Sequence, residues 1–412
     1  MYLDFRSDNT GPIADVILES IINSNTGCAN PYGQDPWTKN LVALLTQMIG
    51  RETQFVACSS GTACNTLAIS LLTPKHGSVT CHKDSHIVQD ECSGPEYFLG
   101  GKLVTLDQGF KVSITQLDKA VSDCLDNFPH CAPIKTLSIT QPNEWGLVYT
   151  LKELEEISRY CSKNGIKIHI DGARMHNALA HLNVTLKALV DACNPSTIAI
   201  SSTKNGGMNG EILIILDNDY FEAATYLHKK FGHLTAKTRF LSAQMLRYFE
   251  NDYWIKSASN SNLQTQKLMQ IILRFPFLKI ITTVETNQVF INMDEDIAND
   301  LKKHNVLFYQ WSIKPNCYRF VVSELITDYQ LSKLETVLNN INNAKKKNES
   351  DYNAFLVSTV TSSSNHYHSN INQACGSIFI NRDSLVINYI YANYKCHNAI
   401  LNRLSFFISI FS

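Results

Sequence analysis

The chain has 412 residues, 44% of them apolar and 18% charged, with 36 Lys and Arg against 37 Asp and Glu. That length holds two or three domains and buries a large core without covalent staples. A net charge of −1 excludes the broadly basic surface of a general nucleic-acid binder, and runs such as 404–411 fall short of the roughly 20 apolar residues that cross a bilayer.

The amino terminus carries charges where a signal peptide needs an apolar stretch. Twelve cysteines lie scattered from Cys28 to Cys396 with no CxxC pair, which reads as reduced thiols in a cytoplasmic protein. No Cys/His set has zinc-site spacing, so no metal is expected, and His366 with His368 reads as a solvated loop. No repeat of fixed period occurs, against solenoids and propellers.

In chain order, Leu41, Leu44, Leu45 and Met48 predict a helix over 38–49. A strand over Gln54–Cys58 leads through the small-residue turn Ser59-Ser60-Gly61-Thr62 into a helix reaching Leu72. Strands follow at Ser78–His82 and Ile134–Thr140, then a helix over 151–164. The next strand, 166–170, gives way to Asp171-Gly172-Ala173-Arg174 and a helix, and strands at Thr197–Ser201 and 212–216 complete the set. This alternation predicts an α/β domain with a largely parallel sheet, whose ligands sit outside the carboxyl ends of the strands.

Long helices are expected over 220–265. Strands at 279–293, 307–309 and 318–323, with helices at 294–303 and 328–343, predict a second, smaller α+β domain. Beyond Lys345-Lys346-Lys347 the chain turns Asn- and Ser-rich with few charges, as linker, extension or disordered tail does. A last apolar helical stretch, 398–411, could dock on the body or on a partner. The expected boundaries are an amino-terminal segment 1–37, a large domain 38–250, a small domain 251–345 and an extension 346–412 without a catalytic part.

Two strand ends carry the chemistry. Asp171 follows one strand and could simply cap the next helix. Lys204 follows the next strand, in Ser202-Thr203-Lys204-Asn205-Gly206-Gly207. A lone loop lysine is usually a solvated charge, but these neighbours permit close backbone approach and offer hydroxyls to an anion. An acid and a lysine at successive strand ends suit pyridoxal 5′-phosphate. That cofactor needs a lysine amine for its Schiff base and a carboxylate that keeps its pyridine nitrogen protonated. Ser60-Gly61-Thr62 at a helix start supplies a phosphate cradle.

With these residues in place, the chain resembles the threonine aldolases of the β-eliminating lyase group, specifically the low-specificity L-threonine aldolases of bacterial type. The stretches that carry the resemblance are Phe5-Arg6-Ser7-Asp8-Asn9, Asn30-Pro31-Tyr32-Gly33-Gln34-Asp35, Ser59-Ser60-Gly61-Thr62 and Asp84-Ser85-His86-Ile87. They continue with Ile139-Thr140-Gln141, His169-Ile170-Asp171-Gly172-Ala173-Arg174, Ser202-Thr203-Lys204-Asn205-Gly206 and Gly232-His233-Leu234. Arg239-Phe240, Thr286-Asn287 and Arg319-Phe320-Val321 complete them, in family order, over residues 1 to about 345.

The resemblance implies a fold type I, PLP-dependent transferase-like large domain and the cleavage of L-threonine and L-allo-threonine to glycine and acetaldehyde. It implies Lys204 as the cofactor-bearing amine, Asp171 against the pyridine nitrogen, His86 stacked on the ring, Gly61 and Thr62 on the phosphate, and Arg174 also among the cofactor-binding residues. Ser7, Arg174 and Arg319 would hold the substrate carboxylate, for which a guanidinium fork is shaped, although either arginine could be an ordinary ion pair. Tyr32 would reach the site from a neighbouring subunit of a homo-oligomer, a dimer or tetramer. The chain departs from the family at Gln34 and at Pro142-Asn143-Glu144-Trp145-Gly146. No histidine occurs between His130 and His169, which leaves His86, or a water it positions, as the expected base for the β-hydroxyl. The other readings are a β-eliminating lyase that releases ammonia and a keto acid, and a non-catalytic paralogue.

Overall fold

The computed structural model describes residues 2–311 and 314–367. In chain order its strands are β1 (Leu3–Asp4), β2 (Gln54–Cys58), β3 (Ser78–His82), β4 (Leu103–Leu106), β5 (Ile134–Thr140), β6 (Lys167–Gly172) and β7 (Thr197–Ser201). They continue with β8 (Glu211–Ile215), β9 (Lys279–Ile280), β10 (Gln288–Asn292), β11 (Val306–Leu307), β12 (Tyr309–Gln310) and β13 (Cys317–Val321).

The large sheet has seven strands in the order β2-β8-β7-β6-β5-β3-β4. From β7 to β4 every neighbouring pair is parallel, whereas β8 runs antiparallel to both β2 and β7. The direction of β8 follows from its short connection. The link from Ser202 to Gly210 lacks the roughly dozen residues that a parallel crossover needs. It folds back as a tight loop, and that loop holds Lys204. β7 and β8 are buried along their whole length, as strands covered on both faces must be. This is an α/β fold around a mostly parallel sheet.

Local chemistry sets the helix bounds. The first predicted helix spans Pro36–Ile49, because Asp35 caps it by accepting from the Thr38 N–H at 2.8 Å and proline occupies the first turn. Gly50, at φ +80°, ends it in the left-handed conformation that glycine adopts without strain. β4 and the helix Ile114–Asp126 have no counterpart in the predicted elements. The helix start is nonetheless written in Ser113 and Gln116, which form a capping box.

The smaller sheet, β12-β13-β10-β9, is antiparallel. The predicted strand 279–293 is two strands, because the segment between them spends its polar groups elsewhere: Thr286 donates to the Gly146 carbonyl and Asn287 to Asp8. The predicted strand 307–309 divides as well. β11 pairs in parallel with β1, and β12 pairs with β13. Buried Phe308 turns inward between them and stacks on Phe320, with ring centroids 4.6 Å apart.

That parallel pairing places Leu3 and Phe5 in the core beside the smaller sheet. Leu3 and Phe5 are buried with Leu268, Val289, Ile291 and Phe320, and the Val321 N–H donates to the Phe5 carbonyl at 2.9 Å. Ser7 and Asp8 follow at once.

Two expectations are corrected. The last predicted helix runs over Asp328–Tyr367 rather than stopping near 343. No Gly or Pro occurs in that stretch to break it, and it takes in His366, read above as loop. The stretch 398–411 lies outside the described residues. Cys124 and Cys131, expected as thiols, form a disulfide, because the turn after the helix Ile114–Asp126 brings their Cα atoms within 5.3 Å. By contact density the chain divides into two units, Met1–Ala344 and Lys345–Ser412. Among the described residues no helix is long and apolar enough to cross a membrane.

Candidate active site

Asp171 lies near the end of β6, paired with Thr140 of β5 and Ala199 of β7. It does not cap the following helix. That helix begins at Met175 with Arg174 in the cap position and no side-chain cap bond. Asp171 instead accepts from the Ala173 N–H at 3.0 Å and from Asn65 Nδ2 at 2.9 Å. Asn65 projects from the helix Gly61–Leu72, donates also to Glu91 at 2.8 Å, and faces His169 Nε2 across 3.0 Å at its Oδ1. Burial would raise the Asp171 pKa, yet the charges of His86 and Lys204 and the bond from Asn65 bring it below the ordinary value. Asp171 is a buried carboxylate kept charged.

Lys204 sits half-buried in the loop after β7. Burial and the nearby Arg174 charge lower its pKa against the opposing pull of Asp8 and Asp171. A lysine so placed loses its proton more readily than a surface one, as a nucleophilic amine must.

The two arginines differ. Arg174 is held in a fork by buried Asp8, Nε to Oδ2 at 2.7 Å and Nη2 to Oδ1 at 3.0 Å. Arg319, on β13, lies with its Cζ 4.8 Å from the centroid of the Trp311 ring, and its Nε is buried with no hydrogen-bond partner among the described residues. Burial and the charge of Arg174 lower its pKa to about 10. A guanidinium with a buried N–H left short of an acceptor is costly on its own and fit for an anionic ligand.

His86 opens a short helix after β3. Its Nδ1 lies 2.8 Å from Glu91 Oε1, and that bond raises its pKa although burial opposes it. Its backbone N–H donates to Glu144 Oε1 at 2.8 Å. At the amino end of the helix Gly61–Leu72, Ser60 accepts from the Ala63 N–H. A Cβ built on Gly61 would meet only Glu211 Oε2, at 3.8 Å, so that helix start, which carries Thr62, stands open. Ser59 hydrogen-bonds His233 at 3.2 Å. Ser7 spends its Oγ on the Asn9 N–H. Tyr32 is 49% exposed, with Lys229 Nζ 5.7 Å from its ring centroid and its N–H on the Ala236 carbonyl.

Asp171, Lys204 and His86 stand at the carboxyl ends of the parallel strands β6, β7 and β3, and Asp8, Arg174 and Arg319 share one electrostatic neighbourhood with Lys204, whereas the contacts of Tyr32 lie with Lys229 and Ala236. A cavity of about 540 Å³ lies elsewhere, at the amino ends of β6 and β7. The charges lining it are already engaged: Lys167 with Asp217 at 2.8 Å, and Arg51 with Asn194 and the Pro195 carbonyl.

The family profile described as Beta-eliminating lyase matches residues 4–296. The chain belongs to the beta-eliminating lyase family. It is 31% identical over 307 residues to a low specificity L-threonine aldolase of Pseudomonas sp. strain NCIMB 10558, covering 74% of this chain and 88% of that one. To the Saccharomyces cerevisiae enzyme of the same description it is 28% identical over 305 residues, 71% and 76% of the two chains. Its fold superposes on a Leishmania major threonine aldolase with a TM-score of 0.77 at 24% identity, over 82% of this chain and 99% of that one. An aspartate aminotransferase from Thermotoga maritima gives 0.63 at 12% identity, over 83% and 91%.

Membership makes the chain a PLP-dependent lyase. The donor set fits that cofactor: an amine of lowered basicity, a charged buried carboxylate on the neighbouring strand, an open helix start for a phosphate, and a guanidinium with its Nε unpaired for an amino-acid carboxylate. Sequence reasoning gave no role to Asn65, Glu91, Asp8 or Glu144. Asn65 had a signal, a polar residue in an otherwise apolar helix face, and Asp8 stood inside a quoted motif. Glu91 had none.

Proposed function

We propose that this enzyme cleaves L-threonine and L-allo-threonine to glycine and acetaldehyde, with Lys204 as the cofactor-bearing amine. The observation that carries the reading is that Lys204 and Asp171, at the ends of neighbouring strands, feel each other's charge, with Asp171 held below the ordinary carboxylate range. Pyridoxal 5′-phosphate, when bound, supplies an electron sink for the bond broken at the substrate's Cα. Asp171, fixed by Asn65 and by the Ala173 N–H, holds a negative charge for the pyridine nitrogen. Gly61 and Thr62 would offer N–H groups and a hydroxyl to the phosphate, and the flat ring of His86 would pack on the cofactor.

Arg319 binds the substrate carboxylate, with Ser7 beside it. Arg174, two of whose nitrogens serve Asp8, adds positive charge. Fixing the carboxylate sets rotation about the N–Cα bond and so selects Cα–Cβ as the bond to break. Orientation of this kind supplies up to roughly 7–11 kcal/mol of a barrier. The active form is a homo-oligomer, dimer or tetramer, in which Tyr32, nearly half exposed in the single chain, completes a neighbour's site. The compartment proposed is the cytoplasm.

The test is an absorbance spectrum of the purified protein followed by product analysis. A visible yellow band with glycine and acetaldehyde formed from threonine supports the reading. Ammonia and a keto acid instead would assign the β-elimination chemistry, and no band with no turnover would leave a scaffold.

A further inference from the structure

The segment between β5 and the helix Leu151–Lys163 is fastened to an unusual degree. Gln141 and Tyr149 bond each other twice across it, each at 2.9 Å. Asn143 Oδ1 accepts from the N–H groups of Trp145 and Leu147, and Trp145 Nε1 donates to buried Asp84 at 2.8 Å. All of this fixes the position of one side chain, Glu144. Its Oε1 accepts from the His86 N–H at 2.8 Å and from Thr140 Oγ1 at 2.7 Å, while Oε2 bonds no other described residue. Thr140 is the register partner of Asp171. The carboxyl group is therefore wedged between the His86 turn and the strand end that carries Asp171.

Resting on the reading just given, we propose that Glu144 is the acceptor of the β-hydroxyl proton, taking it at Oε2 while Oε1 stays anchored. As the O–H proton passes to Glu144, the C–O bond becomes the aldehyde carbonyl and the Cα–Cβ bond breaks. Its electron pair stays with the α-carbon, which later takes up one proton to become glycine. No electrons leave the system, and no co-reactant is needed.

The electrostatics agree. The titratable groups acting on Glu144 or acted on by it are Asp171, Cys81 and Tyr149, with the His86 backbone as a donor. Burial, helped by the Asp171 charge, raises the Glu144 pKa to about 7 against the bonds from Thr140 and His86. That matches a general base to neutral pH. His86 is the competing acceptor, but its bond to Glu91 raises its pKa and so favours the ring that already carries a proton.

The experiment compares the parent holoenzyme with Glu144→Gln and Glu144→Asp. In Glu144→Gln the visible cofactor band and cofactor affinity should persist. Exchange of the α-proton of glycine in D2O, followed by NMR, should persist too, because it needs no β-hydroxyl. Threonine cleavage should fall about 10²- to 10⁴-fold, with loss of the acid limb centred near pH 7, and Glu144→Asp should recover part of it. Independently of turnover, an infrared carboxylic-acid band titrating near pH 7 should disappear in Glu144→Gln. Cleavage at the parent rate with the acid limb intact would overturn the proposal, and so would cleavage and glycine exchange falling together, which would make Glu144 a prop for His86. A parent that shows no visible band or forms no glycine would instead sink the proposed function itself.

Discussion

Asp8 shows how a single carboxylate is bound to its surroundings. Burial alone would raise its pKa, but Arg174, Lys204 and the bond from Asn287 bring it down to about 2 from 3.8. A folded-state value below the unfolded one contributes stability above pH 3.8, which is lost as the pH falls toward 2; the gap corresponds to about 2 kcal/mol. Asp8→Asn should therefore be less stable than the parent at pH 7 by about that amount, and the difference should close below pH 4. Urea unfolding at several pH values checks this, and a gap unchanged from pH 7 to 3 would refute it. Lys204→Ala should fold, lose turnover and lose any borohydride-reducible link to the cofactor; retention of that link would exclude the assignment. The placement of Asp171 and Lys204 at successive strand ends was legible in the sequence because each lies within three residues of the end of a recognisable strand. Asn65, Glu91 and Asp8 were not. Their contacts span 26 residues (Asn65 to Glu91), 106 (Asn65 to Asp171) and 166 (Arg174 to Asp8), and only the order of strands in space brings them together.

Elements repeat the pattern. The buried parallel strands were visible as short apolar runs, because both of their faces are covered. The direction of β8 was not, since strand signals carry no sign, although the brevity of the loop before it held the answer. The split of 307–309 between two sheets depends on partners from opposite ends of the chain. Phe5 joins those ends: it is fully buried, 5.5 Å from Phe320 between ring centroids, and stands two residues before Ser7. Phe5→Ala should cost about 3–5 kcal/mol. It should also raise KM for the amino acid more than it lowers cofactor affinity, because the arm carries Ser7, proposed above for the substrate, and not Lys204, proposed as the cofactor amine. Denaturant unfolding together with a KM-against-kcat comparison tests this, and equal losses in both affinities would count against it.

For the whole molecule, every residue assigned above lies between Ser7 and Arg319, within the unit Met1–Ala344. A chain ending at Lys347 should keep full cleavage activity and soluble yield. Lost activity in a truncated protein that still folds and binds cofactor would give the remainder a part in the site. Light scattering at falling concentration should find activity confined to dimers or larger forms, and a fully active monomer would contradict the role given to Tyr32. The pairing of Leu3 with Val306 also fixes an order of events during synthesis. Leu3 and Asp4 have no partner strand until about three hundred more residues have followed, a contact of very high sequence separation and so a late one. The large sheet can close around Lys204 and Asp171 while Ser7 and Asp8 are still unplaced, so on the roles proposed above a nascent chain would hold its cofactor before it could hold a substrate.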